Sequence, residues 1–468
     1  MFGTVLIANR GEIALRVART CRELGVRTVA VYSTEDRDSP VVSYADQAVH
    51  IGPGPAKRSY LNIPAVIEAA RQTGADAVHP GYGFLSEDPD FAEVCGKEGL
   101  TFIGPPAEVM ARLGDKCTAR RTMAETGLPL LPGSFGPVAS AQAAREAAER
   151  IGFPVIIKAA AGGGGRGMRV VDNLDSVLPV YAEVSGEAQT LFGDSTLYVE
   201  RYLPSARHVE VQVLCDGHGE AVHLGVRDCS VQRRHQKLLE ESPAPCLPPG
   251  TIDRMGEAAV AGALAAGYTG AGTFEFLVDA DAEFYFMEVN CRIQVEHPVT
   301  ELVTGLDLVR EQLRVAAGER LGLRQDDVRA RGAAIECRVN VEDPDRGFVP
   351  TPGRIETLEL PGGPFVRVDT HGYPGYRVPA LYDPLLAKVL AWAPTREQAV
   401  ARMDRALAEF RAEGPGVRTT AGFLRRVLAD ERFRAGTYDT GLVSRLMDAP
   451  GTADAGPPTT TQPEEERA

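Results

Sequence analysis

The stretch that most constrains this chain runs from Glu283 to Glu301, EFYFMEVNCRIQVEHPVTE. Taken as a strand, it sends alternate side chains to opposite faces. Tyr285, Met287, Val289, Cys291, Ile293 and Val295 then share an apolar face, while Phe284, Phe286, Glu288, Asn290, Arg292, Gln294 and Glu296 share the other. A solvated strand face also alternates, but an Asn, an Arg, a Gln and two Glu without a lysine is unusual for plain solvation. Upstream, Gly272–Val278 (GTFEFLV) forms a second strand, joined to the first by the polar turn Asp279–Ala282. Two apolar-rich runs about a polar turn form a hairpin. Folding it brings Glu275 beside or diagonal to Glu288. Two close carboxylates repel unless a cation sits between them. Asn290 adds a neutral oxygen, and such a donor set suits Mg²⁺ or Mn²⁺ rather than Zn²⁺. Mg²⁺ on one or two carboxylates commonly completes its shell with substrate phosphates. The hairpin therefore fits either a nucleoside triphosphate site or a structural ion-pair network.

At 468 residues the chain is too long for one core, and two or three domains are expected. A net charge of −14 argues against a nucleic-acid or anionic-membrane surface as the main partner. Eight scattered cysteines with no C-x-x-C point to reduced thiols in a cytoplasm, not a disulfide frame or zinc site. The opening MFGTVLIANRGE has too short an apolar run for a signal peptide, and no run approaches a membrane span.

Residues 1 to about 110 alternate strand and helix with short turns, which favours a parallel sheet. The first turn, Asn9-Arg10-Gly11-Glu12, lacks G-x-G-x-x-G and is not assigned a dinucleotide. Around Tyr82, the loop of Ala77–Glu87 (AVHPGYGFLSE) fits a plain turn with a half-buried tyrosine. Asp115-Lys116 opens a helix, and Leu128–Pro137 is a Pro/Gly-rich hinge. In PVIIKAAAGGGGRGMRVV, Lys158 ends one strand and the run Gly162–Gly165 leads to another. That order is not a Walker loop. Glycines still expose backbone N–H groups to an anion, and a lysine supplies point charge, so phosphate cradling is favoured over a merely flexible loop. QRRHQKLLEE, from Gln232 to Glu241, is a basic knot that alone fits a solvated segment. Near Arg331 a third unit begins, with Glu336, Arg338 and Asn340 on one face of a strand. Beyond it the chain is turn-rich β, then helical, then a tail without apolar periodicity.

NRGEIA, HPGYGFLSE, the Lys116 region, VIIKAAAGGGGRGMRVV, RDCSVQRRHQK, GTFEFL and above all MEVNCRIQVEHPVTE resemble biotin carboxylase, the ATP-grasp component of biotin-dependent carboxylases. The resemblance spans roughly residues 1 to 445 and implies an α/β and α+β multidomain fold. Its parts would be a Rossmann-like domain at 1–113, an ATP-grasp domain at 114–330 with a mobile lid at about 131–203, a β-rich C-terminal domain at 331–446 and a disordered tail at 447–468.

The resemblance also implies roles. Lys116 and Lys158 correspond to ATP-phosphate ligands, with Gly164 and Gly165 in the lid loop. Glu200, Arg201, Tyr202 and Leu203 correspond to the adenine hinge. His208, Gln232 and His235 lie around the nucleotide, and Glu275, Glu288 and Asn290 hold the metal. Lys237, Arg292, Gln294 and the Val295 backbone form a bicarbonate pocket. Glu296 is the general base, Arg338 faces the biotin ureido oxygen, and Tyr82 lies where biotin is contacted. The implied reaction uses ATP, Mg²⁺ (or Mn²⁺) and bicarbonate to carboxylate biotin on a separate carrier protein.

Some residues depart from the family's pattern. Ala161 stands where a further glycine is common, Cys291 where Thr is expected, and Arg201 where Lys is expected. No Met-Lys-Met motif or carboxyltransferase segment follows residue 445. The expectation is therefore a biotin carboxylase subunit, a homodimer partnered by a biotin carboxyl carrier protein and carboxyltransferase subunits. Its final acceptor would be acetyl-CoA, or alternatively propionyl-CoA, another acyl-CoA or pyruvate. Another bicarbonate-handling ATP-grasp ligase and a non-catalytic nucleotide-binding homologue stay open. The first lacks a reason for the Arg292–Glu296 block and Arg338; the second predicts loss of a metal ligand or of Glu296.

Overall fold

The computed structural model describes residues 1–134, 136–160 and 166–448. Gly164, Gly165 and Ala161 lie outside the described residues, as does the tail from residue 449. The last helix, Leu442–Asp448, takes in two residues assigned above to the tail.

A five-stranded parallel sheet opens the chain, ordered Gln47–Gly52, Arg27–Ser33, Thr4–Ile7, Ala77–His79, Thr101–Phe102. Both faces are covered, which is why Val5, Leu6 and Ile7 run together without a polar break. Val5 and Ile7 enter one core with the helix Gly11–Glu23, while Leu6 enters another beneath the helix Ile63–Thr73. A three-stranded antiparallel sheet follows: Met168–Val171, Val155–Ala159 and Leu197–Arg201. Two helices, Ala141–Ile151 and Val177–Phe192, close its own small core around Ile157, Val184 and Val199.

The largest element is an eight-stranded antiparallel sheet. Its order is Phe284–Asn290, Gly270–Val278, Arg207–Cys215, Ala221–Arg233, Gln236–Ser242, Ala333–Asn340, Leu385–Ala393, Val366–Thr370. The sheet runs straight through the expected break near Arg331, because Glu240 pairs with Glu336 and Leu239 with Cys337. On one face Phe274, Phe276 and Phe286 pack with Met255 and Ala259 of the helix Pro249–Ala265. Further along that face, Ile335, Val339 and Val389 pack with Met403 of the helix Arg396–Glu409 and Leu424 of the helix Ala421–Ala429. The other face is charged and is covered by the helix His297–Thr304.

The key stretch is not one long strand. It ends at Asn290, and after a turn Glu296 becomes the N-cap of the helix His297–Thr304. A bulge also breaks its alternation: Glu288 pairs with Glu275, yet Phe286 pairs with Phe276, leaving Met287 extra. An extra residue flips everything beyond it to the other face. Phe284 and Phe286 therefore sit in the core, apart from Glu288.

The shared sheet makes a prediction. A fragment covering residues 331–446 loses Gln236–Ser242, one of the two strands that pair with Ala333–Asn340, and should show no cooperative unfolding transition by circular dichroism. A sharp independent melt of that fragment would contradict the continuous sheet.

Candidate active site

The charged face of the large sheet forms the floor of a cavity of about 1040 Å³. Among its lining groups is Glu296, fully buried at the start of the helix His297–Thr304. Lys237 Nζ donates to Glu296 Oε1 at 2.6 Å, and Arg338 Nη2 to Oε2 at 2.9 Å. Burial pushes the Glu296 carboxyl up, but Lys237, Arg338 and Arg227 outweigh it and hold the group well below the usual carboxylate range. A helix N-terminus also favours negative charge there. Lys237 further donates to Glu210 at 2.6 Å and Glu275 at 3.0 Å. Arg227, fully buried, donates to Glu210 at 2.6 Å.

A second bulge places Lys237. Val231 pairs with Leu239 but Gln232 with Lys237, so Leu238 is extra and Lys237 turns onto the charged face. The hairpin tip, Arg234 and His235, has φ of 48° and 66°, the geometry of a tight two-residue turn. The basic knot therefore divides: Gln232, His235 and Lys237 line the cavity. Arg233 instead donates to the Gly347 carbonyl at 2.6 Å and lies over the Phe348 ring.

The wall nearest the small sheet carries cations. Asp115 caps the helix Lys116–Glu125, accepting from Thr118 N at 2.7 Å. Such a cap is worth about 1 kcal/mol, and it fixes Lys116 in the first turn, where Nζ meets Glu288 at 2.8 Å. Lys158 Nζ reaches Glu200 at 2.6 Å. Burial and the nearby Lys116 and Arg120 pull the Lys158 ammonium down to about 7. An arriving polyanion would relieve that repulsion.

Glu275 and Glu288 face each other across one rung of the hairpin ladder. Glu275 accepts from Lys237, from Asn290 Nδ2 at 2.8 Å and from Gln294 Nε2 at 3.3 Å; His208 Nε2 lies 3.0 Å away. Burial pushes the Glu275 carboxyl up, but Lys237 and His208 hold it far below the usual range. Two oxygen donors held by ammonium groups fit a hard divalent cation. Asn290 Oδ1 faces Arg292 Nη2 at 3.1 Å, so its amide must exchange ends before the oxygen serves as a third donor. Arg292 is itself held by Glu87 at 2.8 Å and by Gln294 Oε1 at 2.8 Å.

Val295 lines the cavity, and its carbonyl accepts from Lys388 Nζ at 2.9 Å. Lys388, fully buried, also pairs with Glu12 at 3.0 Å. Tyr82 is the half-buried turn residue expected, and its hydroxyl donates to Glu12, which fixes it as part of the cavity wall. The expected hinge is different. Glu200, Arg201, Tyr202 and Leu203 are not among the cavity's lining residues. The Glu200 carboxylate is committed to Arg120 and Lys158, while Arg201 N and Tyr202 N donate to the Pro132 and Pro154 carbonyls at 2.8 and 3.0 Å. Sequence reasoning missed Glu210, Arg227, Glu12, Lys388 and Glu240. Only Glu210 left a signal, since alternation in HVEVQVL puts it on the face of His208.

Three comparisons bear on this arrangement. Residues 1–110 match the biotin carboxylase N-terminal domain, 115–324 the carbamoyl-phosphate synthase L chain ATP-binding domain, and 336–445 the biotin carboxylase C-terminal domain. The chain is 52% identical to the biotin carboxylase of Nostoc sp., over 95% of this chain and 99% of the relative. It superposes with a TM-score of 0.93 on the Campylobacter jejuni biotin carboxylase–βγ-ATP complex, 47% identical, covering 95% of this chain and 99% of the other. It superposes with a TM-score of 0.92 on the biotin carboxylase domain dimer of Hydrogenobacter thermophilus 2-oxoglutarate carboxylase, solved with MgADP, ADP and bicarbonate. That domain is 44% identical, with 96% of this chain and 100% of the other covered. With its mixed α/β architecture and a central ATP-grasp fold, this chain belongs to the biotin carboxylase family and is an ATP-dependent ligase.

Proposed function

We propose that the chain carboxylates biotin held on a separate carrier protein, using ATP and bicarbonate through carboxyphosphate, as the biotin carboxylase subunit of an acetyl-CoA-type carboxylase that feeds malonyl-CoA and fatty acid synthesis. Propionyl-CoA, another acyl-CoA or pyruvate is the alternative acceptor, since that choice lies with the carboxyltransferase partner. The observation that carries the reading is Glu296: a fully buried, ionised carboxylate between Lys237 and Arg338, sharing one cavity with the Glu275/Glu288 pair and Lys116.

Bicarbonate is a poor electrophile. Its oxygen attacks the γ-phosphorus of ATP, the β–γ bond breaks and ADP leaves. Glu296 accepts the bicarbonate proton, and Arg292, Gln294, Val295 and Lys237 orient the anion. Lys116 and Lys158 stand over the phosphates, where phosphoryl transfer needs charge neutralisation. His208, Gln232 and His235 are nucleotide contacts in this reading. Gly164 and Gly165 would supply lid-loop N–H groups, and Glu200–Leu203 the adenine hinge, contributing only backbone groups that fold packing does not use. Glu275 and Glu288, with Asn290 turned, would hold Mg²⁺ (or Mn²⁺), which when bound offsets phosphate charge. Carboxyphosphate then releases CO₂ and phosphate. The phosphate takes the biotin N1′ proton, and N1′ attacks CO₂. Arg338 suits the ureido oxygen because its planar guanidinium stays charged, and Tyr82 lines the same cavity. Closure of the lid over residues 131–203 keeps water from carboxyphosphate. The domain division proposed is the one expected from sequence, 1–113, 114–330 and 331–446, with the sheet shared between the last two.

The chain works as a homodimer with carrier and carboxyltransferase partners in the cytoplasm. Its eight free cysteines support a reducing compartment, and among the described residues no helix is long and apolar enough to cross a membrane.

Three outcomes test this reading. ADP release should require bicarbonate and rise with biotin, and Glu296→Gln should lower it by roughly 10²–10⁴-fold, the scale of general base catalysis; an unchanged rate in that variant rejects Glu296 as the base. Because the folded Glu296 carboxyl is held below its ordinary range, its base form persists as pH falls through neutrality, and the activity it supports is lost only below that range. An acid limb near neutral pH that Glu296→Gln removes would contradict this. Light scattering should give twice the chain mass.

A further inference from the structure

Behind Arg338 lies a second pair of carboxyl groups that the reaction does not use. Glu240 and Glu336 are directly opposite across the ladder joining Gln236–Ser242 to Ala333–Asn340, and both are fully buried. Glu240 Oε1 is 2.6 Å from Arg338 Nη2, the same nitrogen that serves Glu296 Oε2 at 2.9 Å. No oxygen of Glu240 or Glu336 has a hydrogen-bond partner among the described residues, so Glu240 meets Arg338 as a charge contact. Lys388, opposite Arg338 on the next strand, gives its ammonium to Glu12 and the Val295 carbonyl instead. The groups facing Glu240 are Lys237 and Cys229 on its own side of the sheet, Glu336 and Arg338 across the ladder, Lys388 beyond them and Glu296 from the covering helix. Lys237 is already shared among Glu210, Glu275 and Glu296. Among the described residues Arg338 is thus the one cation within ion-pair distance of this pair, and it reaches Glu240 only, so two neighbouring buried carboxylates with one guanidinium between them and Glu296 cannot both stay ionised.

We propose that Glu240 is a positioning residue for Arg338: it shares one proton with Glu336, and the single negative charge left on the pair clamps the guanidinium beside Glu296, facing the cavity. Burial pushes the Glu240 carboxyl up to about 7, with Arg338 opposing and Glu296 reinforcing the shift, and burial pushes Glu336 well above its ordinary range. The sign follows. Both groups hold protons more tightly folded than unfolded, so rising pH drives a second negative charge onto the pair. That charge draws Arg338 back from the cavity, and turnover falls on the alkaline side. With Glu240 fixed neutral, Arg338 collapses onto Glu296 alone at every pH.

This inference rests on the reading of Arg338 as the group facing biotin. The test is the pH profile of ADP release by the full chain with MgATP, bicarbonate and free biotin, for wild type, Glu240→Gln and Glu336→Gln. Glu240→Gln should lower kcat/KM for biotin by roughly ten- to hundred-fold at pH 7, as for a misplaced catalytic group, and leave KM for ATP within about twofold. Glu336→Gln keeps the clamp: it should show the higher kcat/KM for biotin of the two variants at pH 7 and lose the alkaline fall. Profiles for both variants that superimpose on wild type, or equal losses in both with the alkaline fall intact, overturn the proposal. Wild-type turnover that ignores biotin instead overturns the functional reading beneath it. Should Glu240→Gln not fold, infrared difference spectra of wild type and Glu336→Gln decide. A protonated-carboxyl band at pH 7 that the variant lacks supports the shared proton, and its absence from wild type rejects it.

Discussion

The structure depends on keeping Glu296 charged in a place where water cannot reach it. An isolated buried carboxylate costs several kcal/mol. Here the cost is offset by an unbroken row of alternating charge across one face of the large sheet: Arg227, Glu210, Lys237, Glu296, Arg338, Glu240. From Arg227 to Arg338 each charge is hydrogen-bonded to the next, and Glu240 closes the row by a charge contact alone, so removing a member leaves its neighbours unpaired. The row also requires strands from both sides of residue 331 to stay in register. The same constraint that makes the site therefore joins what would otherwise be two domains into one sheet.

The two ends of the cavity are built differently. Around Glu296 the groups come from sheet strands and a helix start; Glu296 is fully buried, and the partly buried Lys237 and Arg338 are bonded to it. At the other end, Lys158 comes from the small three-stranded sheet with its separate core. Lys158 and Lys116 are held close to one another as well as to Glu200 and Glu288. Their mutual repulsion leaves that end waiting for negative charge, whereas the Glu296 end is already neutralised. A polyphosphate at one end and a small anion at the other match that difference.

Much of this was legible in the sequence, and the failures have physical causes. The hairpin and the Glu275–Glu288 rung followed from alternation and a polar turn. The extra residues Met287 and Leu238 did not, since a bulge reverses the facing of later residues without changing composition. Strict period two therefore put Phe286 with Glu288 and could not foresee Lys237 and Glu240 on one face. The turn from strand to helix at Glu296 was hidden because polar residues satisfy either pattern. Glu12 and Lys388 meet only in the folded chain, from distant segments that carry no local mark. The sheet shared across residue 331 was missed because long-range strand pairing leaves no local signal. The ion pairs of the Glu200 side chain with Arg120 and Lys158 join distant segments and likewise carry no local mark in the sequence.

The most direct measurement follows oxygen. If bicarbonate is deprotonated at Glu296 and attacks ATP, one bicarbonate oxygen must end in the released phosphate. With ¹⁸O-labelled bicarbonate, MgATP and biotin, the account predicts one labelled oxygen per phosphate by mass spectrometry. Turnover that yields unlabelled phosphate would mean that water, not bicarbonate, attacks the nucleotide, and would contradict the assignment of this buried carboxylate.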